Sequence, residues 1–366
     1  MGRNVLVLPG DGIGPEVTAA GERVLRFLLT KYGLEATFSH ALVGGACYDQ
    51  TGQFITDGTM ALARSADALL FGAEGGPKWD GLELTGPPES RSGLTRLRRE
   101  LKLFANLRPI RPFDTLLSRS TLKPEVIRGV DFIVLRELCG GIYFGMPRGI
   151  ERKSDGTLRG FDTQEYTEPE IERIARVVFR LAISRRRKLC SVDKANVMES
   201  GILWRRVVSR IGAQEFPQVA LNHLYVDNAA MQLVRDPRQF DVIVTDNLFG
   251  DILSDGAAMI TGSLGMLPSA SLSAERMDGR RTALYEPVHG SAPDIAGKGI
   301  ANPLGTILSV GLMLKHSFDR PDLSDILDRA VVATLDAGLL TPDLGGKSGT
   351  AEVTDAVIAA LGESVP

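Results

Sequence analysis

The chain has 366 residues, 43% of them hydrophobic, with 42 basic against 45 acidic groups and a net charge of -3. That length suits one very large domain or two ordinary ones with ample core, and the near balance of charge excludes the basic footprint of a nucleic-acid or membrane-surface protein. Three cysteines, Cys47, Cys139 and Cys190, with no CxxC pair, exclude a disulfide framework and imply a reducing, cytoplasmic setting.

In chain order, 5–8 reads as a strand and 15–29 as a helix with proline in its first turn. Between them, Gly10-Asp11-Gly12-Ile13-Gly14-Pro15 imitates a dinucleotide fingerprint. The glycine spacing is wrong, and Pro15 lacks an N–H for a phosphate, so a tight strand-to-helix turn is the better reading. A strand over 36–43, a helix over 56–65, a strand over 68–72, a loop to 92 and a helix over 94–103 follow. Strands are expected at 110–112 and 132–135, and a hairpin pairs 142–144 with 158–163 around Lys153-Ser154-Asp155-Gly156. Next come helix 168–186, strand 188–193, helix 198–212, strand 219–226, helix 227–235, strand 241–245 and helix 251–262. Strand 282–286 and helices near 303–317, 322–337 and 349–361 complete the pattern. This alternation predicts an α/β protein with mostly parallel strands in three-layer packing. No span reaches the roughly 18 apolar residues that a membrane helix needs.

Asp251 and Asp255, four apart where strand 241–245 turns into a helix, share one face. They form either a solvated acidic face or a hard-oxygen site for Mg²⁺ or Mn²⁺. Arg98 lies on a helix, Arg108 just before a strand and Arg136 after one. Each is a structural salt bridge or a bidentate holder of a carboxylate. Lys194, at a strand end in Ser191-Val192-Asp193-Lys194-Ala195-Asn196, sits where ligands bind in α/β folds and could serve as a base. Tyr143 is either a hairpin aromatic or a proton donor. Asp227, where a strand meets a helix, is a cap or a third metal carboxylate. The stretch 286–303 has many small residues and little core pattern, as suits a loop that lets a ligand approach its backbone.

Taken together, these motifs resemble the isocitrate/isopropylmalate dehydrogenase family nearly end to end. Arg136-Glu137-Leu138 with Gly140-Gly141-Ile142-Tyr143-Phe144-Gly145 is similar to its isopropylmalate branch, as are 247–255 and the 286–303 loop. The resemblance implies two α/β domains, one formed by 1–103 with 263–366 that binds cofactor, the other by 104–262 for dimerisation, metal and substrate. A β-arm at about 140–165 would enter the dimer interface. It further implies that Arg98, Arg108 and Arg136 hold a malate's carboxylates and Leu94 touches its alkyl group. Asp251 and Asp255, with Asp227 of a second copy, would bind Mg²⁺ or Mn²⁺; Asp227 also borders the substrate. Lys194, again of the second copy, would be the base, and Tyr143 would protonate the enolate. Glu286, His289, Gly290, Ser291, Ala292, Asp294 and Asn302 would bind the cofactor, with Asp294 favouring NAD over NADP by repelling a 2′-phosphate. The implied reaction is oxidative decarboxylation of (2R,3S)-3-isopropylmalate to 4-methyl-2-oxopentanoate; the alternative is another 3-alkylmalate, D-malate or tartrate. The chain departs from the family pattern at Cys139, where threonine is usual, at Glu74, where an apolar residue is usual, and at Met198 and Gly256.

Overall fold

A computed structural model describes residues 2–82, 86–277 and 279–363. Residues up to 103 form β1 (Arg3–Gly10), α1 (Gly14–Lys31), β2 (Ala36–His40), α2 (Gly45–Thr51), α3 (Asp57–Ser65), β3 (Ala68–Ala73), α4 (Pro77–Asp80) and α5 (Gly93–Glu100). The middle forms β4 (Ala105–Ile110), α6 (Pro124–Ile127), β5 (Phe132–Glu137), β6 (Gly145–Arg152), β7 (Leu158–Thr163), α7 (Glu168–Ile183), β8 (Lys188–Asp193), α8 (Glu199–Glu215), β9 (Ala220–Tyr225), α9 (Val226–Arg235), β10 (Val242–Thr245) and α10 (Asn247–Ala258). Residues from 263 onward form β11 (Pro268–Leu272), β12 (Ala283–Pro287), α11 (Leu304–His316), α12 (Pro321–Asp336) and α13 (Thr350–Glu363). Among the described residues no helix is long and apolar enough to cross a membrane.

One ten-stranded mixed sheet runs β2-β1-β3-β12-β11-β4-β5-β10-β8-β9, with β6 and β7 as a separate antiparallel arm. β2, β1, β3 and β12 are parallel, and so are β5, β10, β8 and β9. Between these sets, β11 is antiparallel to β12 and to β4, and β4 is antiparallel to β5. Following the directions across, the two parallel sets run in opposite senses. The seam between them is β11–β4, in register Ala270↔Leu107.

Side-chain alternation along the seam strands decides where a site can lie. One face of the sheet carries a single core that spans the seam: Val7, Leu70, Tyr285, Ala270, Leu107, Leu135 and Leu189 pack with residues of α1, α7, α8, α11 and α12. The opposite face carries two separate cores. Leu6, Leu69 and Leu284 belong to one, beside α3 and α5; Val134, Cys190 and Ile243 belong to the other, beside α9 and α10. The seam residues that alternate onto this second face are polar and buried: Asn106, Arg108, Arg136, Ser269, Ser271 and Glu286. A polar floor between two apolar walls results.

Several elements differ from the sequence expectation. β4 lies at 105–110 rather than 110–112, so Arg108 is inside a strand. Residues 141–143 form a 3₁₀ turn that precedes the arm, so Tyr143 is not a hairpin residue. β11 and α2 are additional elements.

α11 is buried for most of its length, and His316, its last residue, is half-buried. A helix C-terminus favours a cation by about 0.3–1 kcal/mol. Here burial, with Lys315 and Arg281 nearby, outweighs that and pushes the imidazole down to about 4. The neutral folded form therefore contributes stability that is complete above about pH 6.5, the unfolded value, and is lost as pH falls toward 4. Urea titrations at stepped pH should show wild-type stability falling more steeply across this window than that of His316→Gln; parallel curves would refute the assignment.

Candidate active site

The polar floor is roofed by α10. Asp246 caps this helix, its Oδ1 accepting from the Phe249 N–H at 2.8 Å. The helix starts at Asn247, not at 251 as the sequence suggests, so Asp251 and Asp255 project from its second and third turns. Gly250 makes the close approach possible: a Cβ there would lie 2.7 Å from both Cβ and Cγ of Arg136.

Arg136 and Arg108 meet the two aspartates from below. Arg136 is ion-paired with Asp251, and its Nε donates to Asn247 Oδ1 at 2.9 Å. The Asn247 amide in turn donates to the carbonyls of Leu138 and Gly140, at 3.2 and 3.0 Å. Arg108 Nη1 donates to Asp255 Oδ1 at 2.7 Å and to Ser254 Oγ at 2.6 Å, while its Nε donates to Asn106 Oδ1 at 3.0 Å. The Tyr143 hydroxyl donates to Asp251 Oδ2 at 2.8 Å. Burial lowers Arg136 to about 10, against the pull of Asp251, and neighbouring Arg108 and Arg98 add to the lowering. Burial alone would raise Asp251, but Arg136 and Arg108 hold it below the usual carboxylate range. Burial raises the Tyr143 phenol and Asp251 raises it further, which keeps its proton in place.

A cleft of about 220 Å³ continues from Arg108 toward β12, lined by Leu94, Arg98, Glu286, His289 and Gly290 among others. Arg98 Nη2 donates to Glu286 Oε1 at 2.8 Å. Burial opposes the Arg98 charge, yet Glu286 holds its pKa above the ordinary value. Arg98 Nε and His289 Nε2 are buried with no hydrogen-bond partner. Such atoms are rare in folded proteins and suit the oxygens of a ligand. Three arginines face four carboxylates (Asp251, Asp255, Glu286 and Glu74), so a dianion entering the site calls for a compensating dication.

Residues 4–357 match the family model described as isocitrate/isopropylmalate dehydrogenase. The chain belongs to that family. The 3-isopropylmalate dehydrogenase of Chromohalobacter salexigens is 57% identical over 99% of both chains, and that of Ruegeria pomeroyi is 55% identical with the same coverage. Among solved structures, isocitrate dehydrogenase from Methylococcus capsulatus superposes with a TM-score of 0.85 at 32% identity, covering 98% of this chain and 99% of the other. A beta-decarboxylating dehydrogenase from Thermococcus kodakarensis superposes with a TM-score of 0.77 at 35% identity, covering 99% and 96%.

The remaining residues that the isocitrate/isopropylmalate dehydrogenase resemblance singles out fall in two places. Lys194, just after β8, is ion-paired with Asp227 in the first turn of α9. Among the described residues no hydrogen bond or ion pair joins this pair to Asp251 or Asp255, and no three His, Cys, Asp or Glu side chains gather as a metal-binding set. Two carboxylates on one helix face are hard donors of the right kind for Mg²⁺ or Mn²⁺, with water and substrate oxygens to complete the shell. Beyond β12, the 286–303 loop leans on the Gly10–Pro15 turn, where Ile13 N–H donates to the Ser291 carbonyl at 2.8 Å. Asp11 in that turn accepts from the N–H groups of Gly45, Ala46 and Gly75 at 2.7–2.8 Å, a structural clamp. Gly290 and Asp294 are exposed, and Ala292 takes the left-handed φ of 39°. Asn302 is spent internally: its amide donates to Asp343 at 3.0 Å and its carbonyl oxygen accepts from Leu304 N–H at 3.0 Å.

Asn106, Asn247 and Ser254 are site residues to which the sequence alone assigns no role. Asn247 had a visible signal, a buried-strand end followed by Asp-Asn at a helix start. Asn106 and Ser254 had none, because their function is to satisfy arginines that come from distant strands.

Proposed function

We propose that this chain is an NAD-dependent decarboxylating dehydrogenase that converts 3-isopropylmalate to 4-methyl-2-oxopentanoate, a step of leucine synthesis. The observation that carries the reading is the seam site: Arg98, Arg108 and Arg136 converge beside Asp251, Asp255 and Tyr143, and full-length relatives bear the 3-isopropylmalate dehydrogenase name.

In this reading the arginines grip the two carboxylates of the malate moiety and Leu94 meets the alkyl group. Asp251 and Asp255 hold a divalent cation together with Asp227 of a second copy. When bound, a divalent cation held there would supply Lewis acidity and NAD would supply a hydride acceptor for the oxidation at C2. Lys194 of the second copy takes the C2 hydroxyl proton. Loss of CO₂ then leaves the bonding electron pair on an enolate, to whose C3 Tyr143 delivers its proton. Its raised pKa and its hydrogen bond from the phenol to Asp251 keep that proton at hand. Segments 1–103 and 263–366 serve as the cofactor side, with His289, Gly290, Ser291, Ala292, Asp294 and Asn302 around NAD; 104–262 serves as the metal and dimer side.

Exposed apolar side chains support the dimer. Ile252, between the two aspartates, is 61% exposed, and Met259 on α10 and Met231 and Val234 on α9 are exposed as well. Met146, Ile150 and Leu158 extend the apolar surface along the arm. A patch of this kind next to a half-complete site calls for a partner surface.

The test is NADH formation from 3-isopropylmalate and NAD with Mg²⁺ or Mn²⁺. Turnover should be metal-dependent and much slower with NADP. Absence of NADH with every divalent cation tried would overturn the proposal.

A further inference from the structure

Glu74 follows β3 and is not part of the chemistry above. Its carboxylate is buried and takes three donors, all from the start of α5. Oε1 accepts from Gly93 N–H at 2.6 Å; Oε2 accepts from Ser92 Oγ–H at 2.6 Å and from Leu94 N–H at 3.1 Å. Ser92 Oγ also accepts from Thr95 N–H at 3.0 Å. Glu74 and Ser92 thereby satisfy the first free N–H groups of the helix, which water or a cap would otherwise serve. Gly93 permits the closeness: a Cβ there would fall 2.6 Å from Val43 Cγ2 and 2.7 Å from the Phe54 carbonyl oxygen.

The helix so anchored has eight residues and carries Leu94 and Arg98 one turn apart on the side that lines the cleft. At its far end Arg98 is tied to Glu286. An element this short has little stability of its own, so its anchors set its axial position and rotation. The cap comes from a carboxylate fixed to the sheet rather than from a mobile loop. We infer that Glu74 is a positioning residue for substrate recognition, placing Leu94 against the 3-alkyl group and Arg98 against a carboxylate through the N-terminus of α5. This rests on the substrate reading given above.

The experiment compares wild type, Glu74→Val, Glu74→Gln and Leu94→Ala on 3-isopropylmalate and D-malate. If wild type does not oxidise 3-isopropylmalate, the substrate reading fails, and with it the basis for this inference. If wild type is active, Glu74→Val should lower kcat/KM for 3-isopropylmalate by about 10- to 100-fold, chiefly through KM, with the KM for NAD within about twofold. Its preference for 3-isopropylmalate over D-malate should shrink by about tenfold. In a Leu94→Ala background the same change should leave that preference unaltered, because Glu74 acts through Leu94. Glu74→Gln, which keeps one acceptor oxygen, should recover part of the loss. Unchanged preference in a folded Glu74→Val, or an equal loss on both substrates and NAD alongside a lower Tm, overturns the inference. Should Glu74→Val not fold, Glu74→Gln decides alone: a smaller shift in preference supports positioning, and none overturns it.

Discussion

Lys194→Ala is expected to lower kcat by roughly 10²–10⁴-fold, the usual worth of a positioned general base, while NAD still binds. The fold should tolerate the change. Lys194 and its partner Asp227 are 26% and 61% exposed, and an ion pair this exposed contributes little to stability. Removing Lys194 therefore takes away a proton acceptor and little else. Steady-state kinetics, NAD titration by fluorescence and a thermal midpoint separate the possibilities. Near-normal turnover would show that Lys194 is not the base. A collapse of NAD affinity or of the midpoint would show that the residue has a structural duty instead.

Pairing two inactive variants should restore activity. Lys194→Ala and Asp255→Asn damage different contributions to the proposed shared site. If each site takes Asp255 from one chain and Lys194 from the other, a mixed dimer holds one doubly altered site and one intact site. Random association of equal amounts then recovers about a quarter of wild-type activity. Asp255 is the better choice than Asp251 for this test. It is 51% exposed against 32%, and Arg108 keeps Ser254 and Asn106 as partners when it goes. Removing Asp251 would strand the buried Arg136, a loss of about 3–5 kcal/mol. Co-expression with two affinity tags yields the mixed dimer; no recovery in it would place Lys194 and Asp255 in the same chain's site.

How much the sequence discloses depends on which forces shape each element. The long helices and the apolar strands β1, β3, β8 and β10 are legible, because burial imposes their periodicity. β11 is not: Pro268-Ser269-Ala270-Ser271-Leu272 turns small side chains to both faces and is a strand only because β4 and β12 hold it. α2 has no amphipathic signature and forms where Asp11 receives its first N–H groups. β4 is hard to see because Pro109 and the charged Arg108 sit within the strand itself. The acids and arginines of the site were visible as residue types, yet their convergence was not, since it depends on two oppositely directed sets of strands meeting at β11–β4. Asp255, Tyr143 and Arg108 come together from a helix, a turn and a strand that no local pattern connects.

The interleaved strand order also bears on how the chain is made. β3 is buried along its whole length between β1 and β12. Yet Ala73, its last residue, leaves the ribosome 210 residues before Ala283, the first of β12. At about 5–20 residues per second, that apolar edge waits on the order of 10 to 40 seconds for its neighbour. Throughout that interval the nascent chain presents an unpaired hydrophobic strand, the kind of edge that templates aggregation. A sheet that joins the first and last thirds of its sequence thus leaves newborn molecules with an aggregation hazard that the finished fold does not carry.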